Sequence, residues 1–360
     1  MALYIGMTAV TTLLAAFVNN KLTGQGTCIS RGRLCNRILL GLIFVSLFLV
    51  SALRVEVGND YGEYLEIFQD IHAGRHVSTE IGFNAVVRAV QFVFGTGVVS
   101  GRIIFAIFAF ATVLFFLLAI YEQSDSFCLS FFLLLANGYY FSSMTSVRYY
   151  FVLAVALYAM KYALQKKWVP FVCLIVFAAL FHQSVLLVIP VYFLATIHWK
   201  RWHLFMFVLL CGSFLVFRDF YRMIIFHFYP YYENSVFDNG QTSLINILKC
   251  LAVLVLCLFY YKEAIREYAE NRFYFCLNLG ALALYLFCSF IPVLSRVGYY
   301  LSVSNLFLVP SVLKRIPKKG QRICFTILVI LAYTAYFAMF LYKAYGADVR
   351  LLPYQCWLFE

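Results

Sequence analysis

A small set of polar residues interrupts long apolar runs, and their types and settings define the chemistry to look for. Arg148 lies in Ser-Met-Thr-Ser-Val-Arg148-Tyr-Tyr at the head of an apolar run, and Arg296, in Leu-Ser-Arg296-Val-Gly-Tyr-Tyr, has the same setting. A guanidinium is a planar fork that meets two phosphate oxygens at once. Two of them in matching positions read as a diphosphate clamp. The competing role for each is an arginine that snorkels its charge to lipid headgroups. His182, in Leu-Phe-His182-Gln-Ser, separates two apolar runs. An imidazole, with an ordinary pKa of about 6.5, serves as general base or phosphate ligand after a modest shift. Bonded to Gln183 or Ser184 it would be structural instead. Asp60, in Gly-Asn-Asp60-Tyr61-Gly-Glu63-Tyr64, is suited to deprotonate an acceptor hydroxyl in glycosyl or acyl transfer. Its spacing to Glu63 is also that of a helix capping box, and capping and catalysis are compatible. Arg218, Arg222 and His227 belong to a stretch dense in Tyr and Phe. That stretch reads as an interfacial aromatic belt or as a platform on which sugar faces stack.

These residues are positioned by elements of one kind. Of 360 residues, 64% are hydrophobic and only 12% are charged. A soluble domain has about 45–50% apolar and about 25% charged residues. A soluble enzyme, a nucleic-acid binder and a disordered chain are therefore excluded. Apolar runs near 3–18, 38–53, 103–121, 127–144, 149–164, 168–181, 184–198, 203–217, 244–261, 273–291, 299–313 and 322–342 predict an all-α polytopic membrane protein with about twelve spans. The 168–198 pair would also fit a re-entrant hairpin. The whole of 1–360 reads as a single transmembrane domain with two notable outer loops, 55–100 and 218–243. No cleavable signal peptide is visible, since the first basic residue, Lys21, follows the first apolar run. The N-terminus is accordingly expected outside.

The charges follow this topology. Most of the 28 Lys and Arg fall on one side, among them Lys21, Arg31, Arg33, Lys166, Lys167, Lys200, Arg201, Lys314, Arg315 and Lys318. Asp60, Glu63, Glu66, Asp70, Glu80, Asp219, Glu233 and Asp238 fall on the other. The formal charge of +12 thus reports orientation by the positive-inside rule. This holds only if 81–97 does not span. In that segment Glu80, Asn84, Arg88 and Gln91 form one polar stripe on an otherwise apolar helix, a pattern that lies along an interface. Residues 60–72 are amphipathic as well. Two surface helices are therefore expected in the first outer loop. Eight of the 11 cysteines sit in apolar runs and read as small hydrophobes. Cys28 and Cys35 share a loop without partners for a zinc set. No phosphate-binding G-x-x-x-x-G-K-[ST], no G-x-S-x-G, no H-E-x-x-H and no Asp-x-Asp occurs. No metal site and no cofactor are expected.

Taken together, Gly-Asn-Asp60-Tyr61-x-x-Tyr64, Ser-Val-Arg148 at a span start and Leu-Phe-His182-Gln-Ser resemble the EpsG family, which belongs with the Wzy-type polysaccharide polymerases. Arg296 followed by Tyr299 and Tyr300 adds a weaker match, and the likeness runs over roughly residues 30–310. The Gln-rich form expected after the Arg is replaced here by Tyr149. The resemblance implies a GT-C-like fold in the bacterial inner membrane and a metal-independent enzyme facing the periplasm. Its substrates would be undecaprenyl-diphosphate-linked oligosaccharides, with membrane lipid and a chain-length regulator as further partners and no nucleic acid. Asp60 and His182 would then be catalytic, Arg148 and Arg296 would bind the diphosphate, and Tyr61, Tyr64, Arg218 and Arg222 would contact sugar. Two other classes share parts of this pattern. A lipid-linked oligosaccharide flippase should line its midplane with polar groups, whereas these cluster at one face. An O-antigen ligase uses the same donor with a different acceptor.

Overall fold

The computed structural model describes residues 1–19, 31–228, 243–288, 294–346 and 349–359. Lys21, Cys28, Glu233, Asp238 and the aromatic loop from 229 to 242 lie outside the described residues. Helices dominate. Among the described residues there is no strand, only an isolated antiparallel bridge between Arg54 and Cys356. Every described cysteine is free.

Two compact units divide the chain. The first holds Met1–Lys161, Val169–Leu186 and Pro317–Glu360. Its helices are α1 (Ala2–Ala16), α2 (Arg31–Ala52), α3 (Tyr61–His72), α4 (Ile81–Phe94), α5 (Val98–Gln123), α6 (Phe127–Ala136), the single turn α7 (Tyr139–Ser142), most of α8 (Val147–Leu164) and α9 (Trp168–Ala179). The second unit holds Tyr162–Trp168 and Leu187–Ile316. It contains α10 (Val188–Thr196), α11 (Arg201–Val216), α12 (Arg218–Phe228), α13 (Leu244–Phe259), α14 (Ala269–Phe287), α15 (Leu294–Ser302) and α16 (Asn305–Lys314). The chain then returns to the first unit with α17 (Lys319–Lys343).

In the first unit α5 is the hub. It packs on α2, α4 and α6. Ile104, Phe105, Phe108, Thr112, Val113, Phe116 and Ile120 recur every three or four residues along it and are all buried, the stripe that a 3.6-residue period requires. The short helices of the first loop bury faces of the same kind: Tyr61, Tyr64, Phe68 and Ile71 on α3, and Phe83, Val87 and Val90 on α4. Both expected loop helices are therefore present. The polar stripe of α4 serves packing more than hydration. Asn84 Nδ2 donates to the Thr79 carbonyl (3.1 Å) and Gln91 Nε2 to the Phe68 carbonyl (2.7 Å), while Arg88 is exposed.

In the second unit α14 packs on α10, α11, α13, α15 and α16. Amides and hydroxyls join these helices. Asn305 Nδ2 donates to Asn278 Oδ1 (2.8 Å), Asn278 Nδ2 to the Cys250 carbonyl (3.0 Å), and Ser311 Oγ to Asn271 Oδ1 (2.7 Å).

Each of the twelve apolar runs contains a helix among the described residues, but most of those helices are short. Among the described residues four helices have the length and hydropathy to cross a membrane: Gly32–Ala52, Val98–Gln123, Val147–Leu164 and Lys319–Lys343. A fifth candidate, α11 with α12, is bent by 84°. Crossing takes about 20 residues, whereas α1, α6, α9 and α13 have 15, 10, 12 and 16. The breaks have local causes. Gly138, at φ +77°, stops α6 inside the 127–144 run, because a left-handed residue cannot continue a right-handed helix. The 299–313 run breaks after Ser302, before α16 begins at Asn305. The α4 segment, at 14 residues, is short of a crossing.

Candidate functional site

The site is assembled in the first unit from three stretches of chain: the first loop, the head of α8, and the turn after α9. Two glycines set their contact. Gly58 has φ +100°, and a Cβ there would lie 2.2 Å from the Met144 carbonyl oxygen. Only glycine tolerates both the backbone angle and the contact. Its place against Met144 brings the next residues to the 145–148 segment. At the other end of the loop, Gly82 N–H donates to the Leu180 carbonyl (2.8 Å), and a Cβ would lie 2.7 Å from that oxygen. This contact brings the start of α4 to the turn that carries His182.

Asp60 stands at the N-cap position of α3, yet its side chain makes no cap hydrogen bond. The capping box with Glu63 therefore does not form. The Asp60 Oδ2 instead accepts from Ser146 Oγ at 2.6 Å. Asp60 is half-buried. Ser146 is two residues before Arg148, and the charges of Asp60 and Arg148 both act on the Tyr64 phenol.

Arg148 does not snorkel. Its side chain is 19% exposed and its Nη1 donates to Oε2 of Glu80, which is 16% exposed. The Glu80 Oε1 accepts from the Gln183 backbone N–H (3.3 Å). The Arg148 guanidinium also stands 5.4 Å from the ring centroid of Phe83 and 5.8 Å from that of Tyr64, within cation–π range. Its buried Nε has no hydrogen-bond partner. Burial pushes the Tyr64 phenol up from its ordinary pKa, and the Arg148 charge beside it works against that rise.

His182 Nδ1 and Ser184 Oγ are 2.8 Å apart, so chemistry at this ring would run through Nε2. Tyr149, which follows Arg148, meets the imidazole edge-on at 5.6 Å. An aromatic cluster backs all three stretches. Tyr61 stacks on Phe105 (4.5 Å), Tyr64 meets Phe83 (5.6 Å), Phe83 meets Phe108 (5.5 Å), and Phe108 meets Phe151 (5.7 Å) and Phe181 (5.9 Å). Tyr61 and Tyr64 are buried in this cluster.

Of the residues singled out from sequence, Asp60, Tyr61, Tyr64, Arg148 and His182 thus share one unit and one network. Arg296, on α15, and Arg218 and Arg222, on α12, belong to the second unit. Arg296 is half-buried and Arg218 is exposed. The Arg222 guanidinium lies 5.4 Å from the Phe226 ring centroid. Sequence reasoning missed two partners. Glu80 was read as an outer-face acid and as part of a polar stripe, not as the partner of Arg148, and Ser146 was not marked. A usable signal existed for Glu80: an arginine flanked by apolar helix needs a counter-charge, and Glu80 is among the few acids on the same side. Among the described residues no three of His, Cys, Asp and Glu come together as metal ligands.

The chain can now be placed among known proteins. No curated protein and no solved structure matches it. The family model for the EpsG family matches residues 37–356, and that range contains every residue of the site. EpsG-like proteins are similar to the Wzy-type polymerases. An all-helical chain with helices fit to cross a membrane, matched by this model over most of its length, belongs to the EpsG family.

Proposed function

We propose that the protein is a polysaccharide polymerase that transfers a glycan from undecaprenyl diphosphate to a lipid-linked repeat unit at the periplasmic face of the bacterial inner membrane. On this reading the short helices complete a twelve-span, GT-C-like architecture, with α3 and α4 along the outer surface. Family membership supports the class of activity. The observation that carries the mechanism is the bond from Ser146 to Asp60, two residues from Arg148. It ties the carboxylate to the turn that leads into Arg148, and both charges act on the Tyr64 phenol.

In the proposed step the acceptor hydroxyl oxygen forms a bond to the anomeric carbon of the donor glycan. The bond from that carbon to the diphosphate oxygen breaks, and its electron pair leaves on the diphosphate. Asp60 takes the hydroxyl proton. Arg148 meets the charge developing on the leaving group, the interaction that lowers such a barrier most. Glu80 holds Arg148 through Nη1. His182, held by Ser184, contributes at the diphosphate through Nε2. Tyr61 and Tyr64, expected from sequence to contact sugar, are buried among aromatic rings, and on this reading they position Asp60 and Arg148 instead. Arg218 and Arg222 contact sugar.

The test is reconstitution in lipid discs with lipid-linked oligosaccharide extracted from cells lacking this protein. A ladder of longer lipid-linked glycans is expected from the wild-type chain, and none from Asp60→Asn. Asn at position 60 keeps an oxygen for Ser146 but cannot act as the base. A wild-type ladder from Asp60→Asn would remove Asp60 from the mechanism. Absence of any ladder from wild-type protein, with turnover only after a lipid A core is added, would make the protein a ligase.

A further inference from the structure

Arg54 has no role in the mechanism above, and its surroundings are unusual. It follows α2 by two residues and is 1% exposed. Its Nη1 donates to the Ser51 carbonyl and to Ser51 Oγ, while Nε and Nη2 are buried without a hydrogen-bond partner. None of the ion pairs among the described residues includes it. Instead the guanidinium lies 4.8 Å from the Phe105 ring centroid and is surrounded by the phenols of Tyr61, Tyr140, Tyr4 and Tyr354. Burial pushes its pKa down to about 10, so it stays charged at neutral pH. A lone buried cation is costly, and an apolar side chain of similar size would usually be tolerated as well or better.

What the cation sits between gives it a use. The segment 53–58, which leads to Asp60, is paired with a segment from near the end of the chain. Val55 N–H donates to the Gln355 carbonyl (3.0 Å), Gly58 N–H to that of Arg350 (2.7 Å), and Trp357 N–H to that of Leu53 (3.1 Å). Two of the phenols around Arg54 tie that end segment to α1 and α2. Tyr4 Oη donates to the Leu351 carbonyl (2.9 Å) and Tyr354 Oη to that of Val50 (3.0 Å). Tyr61, the residue after Asp60, stacks on Phe105, the ring that Arg54 also contacts. Arg54 is thus the peg at which α2, the strap 349–357 and the start of α3 meet.

We infer that Arg54 and the strap 349–357 are positioning elements for Asp60, fixing the backbone from 53 to 61 so that the carboxylate meets Ser146 and the acceptor hydroxyl. This rests on the reading of Asp60 as the base. The guanidinium is suited to the task because its donors have fixed directions and its charge lies over the Phe105 ring. A flexible thioether has neither property.

The experiment uses full-length protein in lipid discs with the same extracted oligosaccharide, comparing Arg54→Met, Arg54→Lys, Tyr354→Phe and Asp60→Asn. For Arg54→Met the melting temperature should hold or rise, while kcat falls by about 10²-fold, the cost of a misplaced catalytic group. KM should stay near that of wild type. Arg54→Lys should recover part of the lost kcat. Wild-type kcat in a folded Arg54→Met protein overturns the inference. If Arg54→Met does not fold, Tyr354→Phe decides: lowered kcat at unchanged melting temperature supports positioning, and wild-type kcat overturns it. The Asp60→Asn arm separates the two readings. An inactive Asp60→Asn beside a fully active Arg54→Met sinks the positioning role alone. An active Asp60→Asn sinks the base, and the positioning role with it.

Discussion

In the first unit the contacts around Asp60 run through charges at helix heads: a carboxylate accepting from Ser146, and an arginine held by Glu80 and by aromatic faces. In the second unit the contacts buried between α13, α14 and α16 run through Asn278, Asn305, Asn271 and Ser311, with neutral donors on neutral acceptors. The difference follows from cost and use. A charge away from water needs a partner or it shifts its protonation, so it is retained where the charge itself does something. An amide between helices supplies direction at a lower cost and holds helices together where no hydrophobic force acts between them. The first arrangement is suited to chemistry and the second to cohesion.

That contrast can be broken by substitution. The largest effect is expected at Arg148. Arg148→Ala should lower polymer formation by about 10²–10³-fold, the usual loss when one stabiliser of a developing charge is removed. Arg148→Lys should remain impaired, because an ammonium cannot offer a fork. A wild-type ladder from Arg148→Ala would erase the distinction between the units. Next comes Gly58→Ala. The added Cβ meets the Met144 carbonyl, so the segment leading to Asp60 must shift. Polymer formation should drop by about 10²-fold while the protein still inserts in the membrane, as read by ladder length against membrane-bound protein. A smaller effect belongs to the second unit. Asn278→Leu should cost about 0.6–2 kcal/mol of stability, seen as a lower melting temperature, with the rate per folded molecule unchanged. The smallest is Leu331→Ala on α17, where Leu331 is 62% exposed. Stability there should stay within about 0.5 kcal/mol of wild type, and a larger loss would mean that α17 is covered by a partner.

Much of this was legible in the sequence for identifiable reasons. Apolar runs place helices because burial and helix period act over neighbouring residues, and every expected run contains a helix among the described residues. Helix lengths were less legible, since a single left-handed glycine such as Gly138 divides an apolar run without altering its hydropathy. Asp60, Arg148 and His182 stood out because polar groups beside apolar runs are costly. Their partners did not. Glu80 and Arg148 are 68 residues apart in the chain, and Asp60 and Ser146 are 86 apart. No periodicity links such pairs. Arg54 was passed over for a related reason: in sequence, an arginine after a span looks the same whether it reaches headgroups or folds inward onto Phe105.

The tie between the 350s and the first loop also sets an order of events during biosynthesis. Val50 and Tyr354, which share a hydrogen bond, are 304 residues apart. A ribosome adding about 5–20 residues per second needs roughly 15–60 s to cover that distance. For that time α2 and α3 emerge without the segment of chain that later pins them. The loop bearing Asp60 is then an early draft of itself, and on the proposed reading activity would begin only when late-made polypeptide folds back onto the first-made. A nascent chain stalled before residue 349 would be in the membrane, helical, and silent.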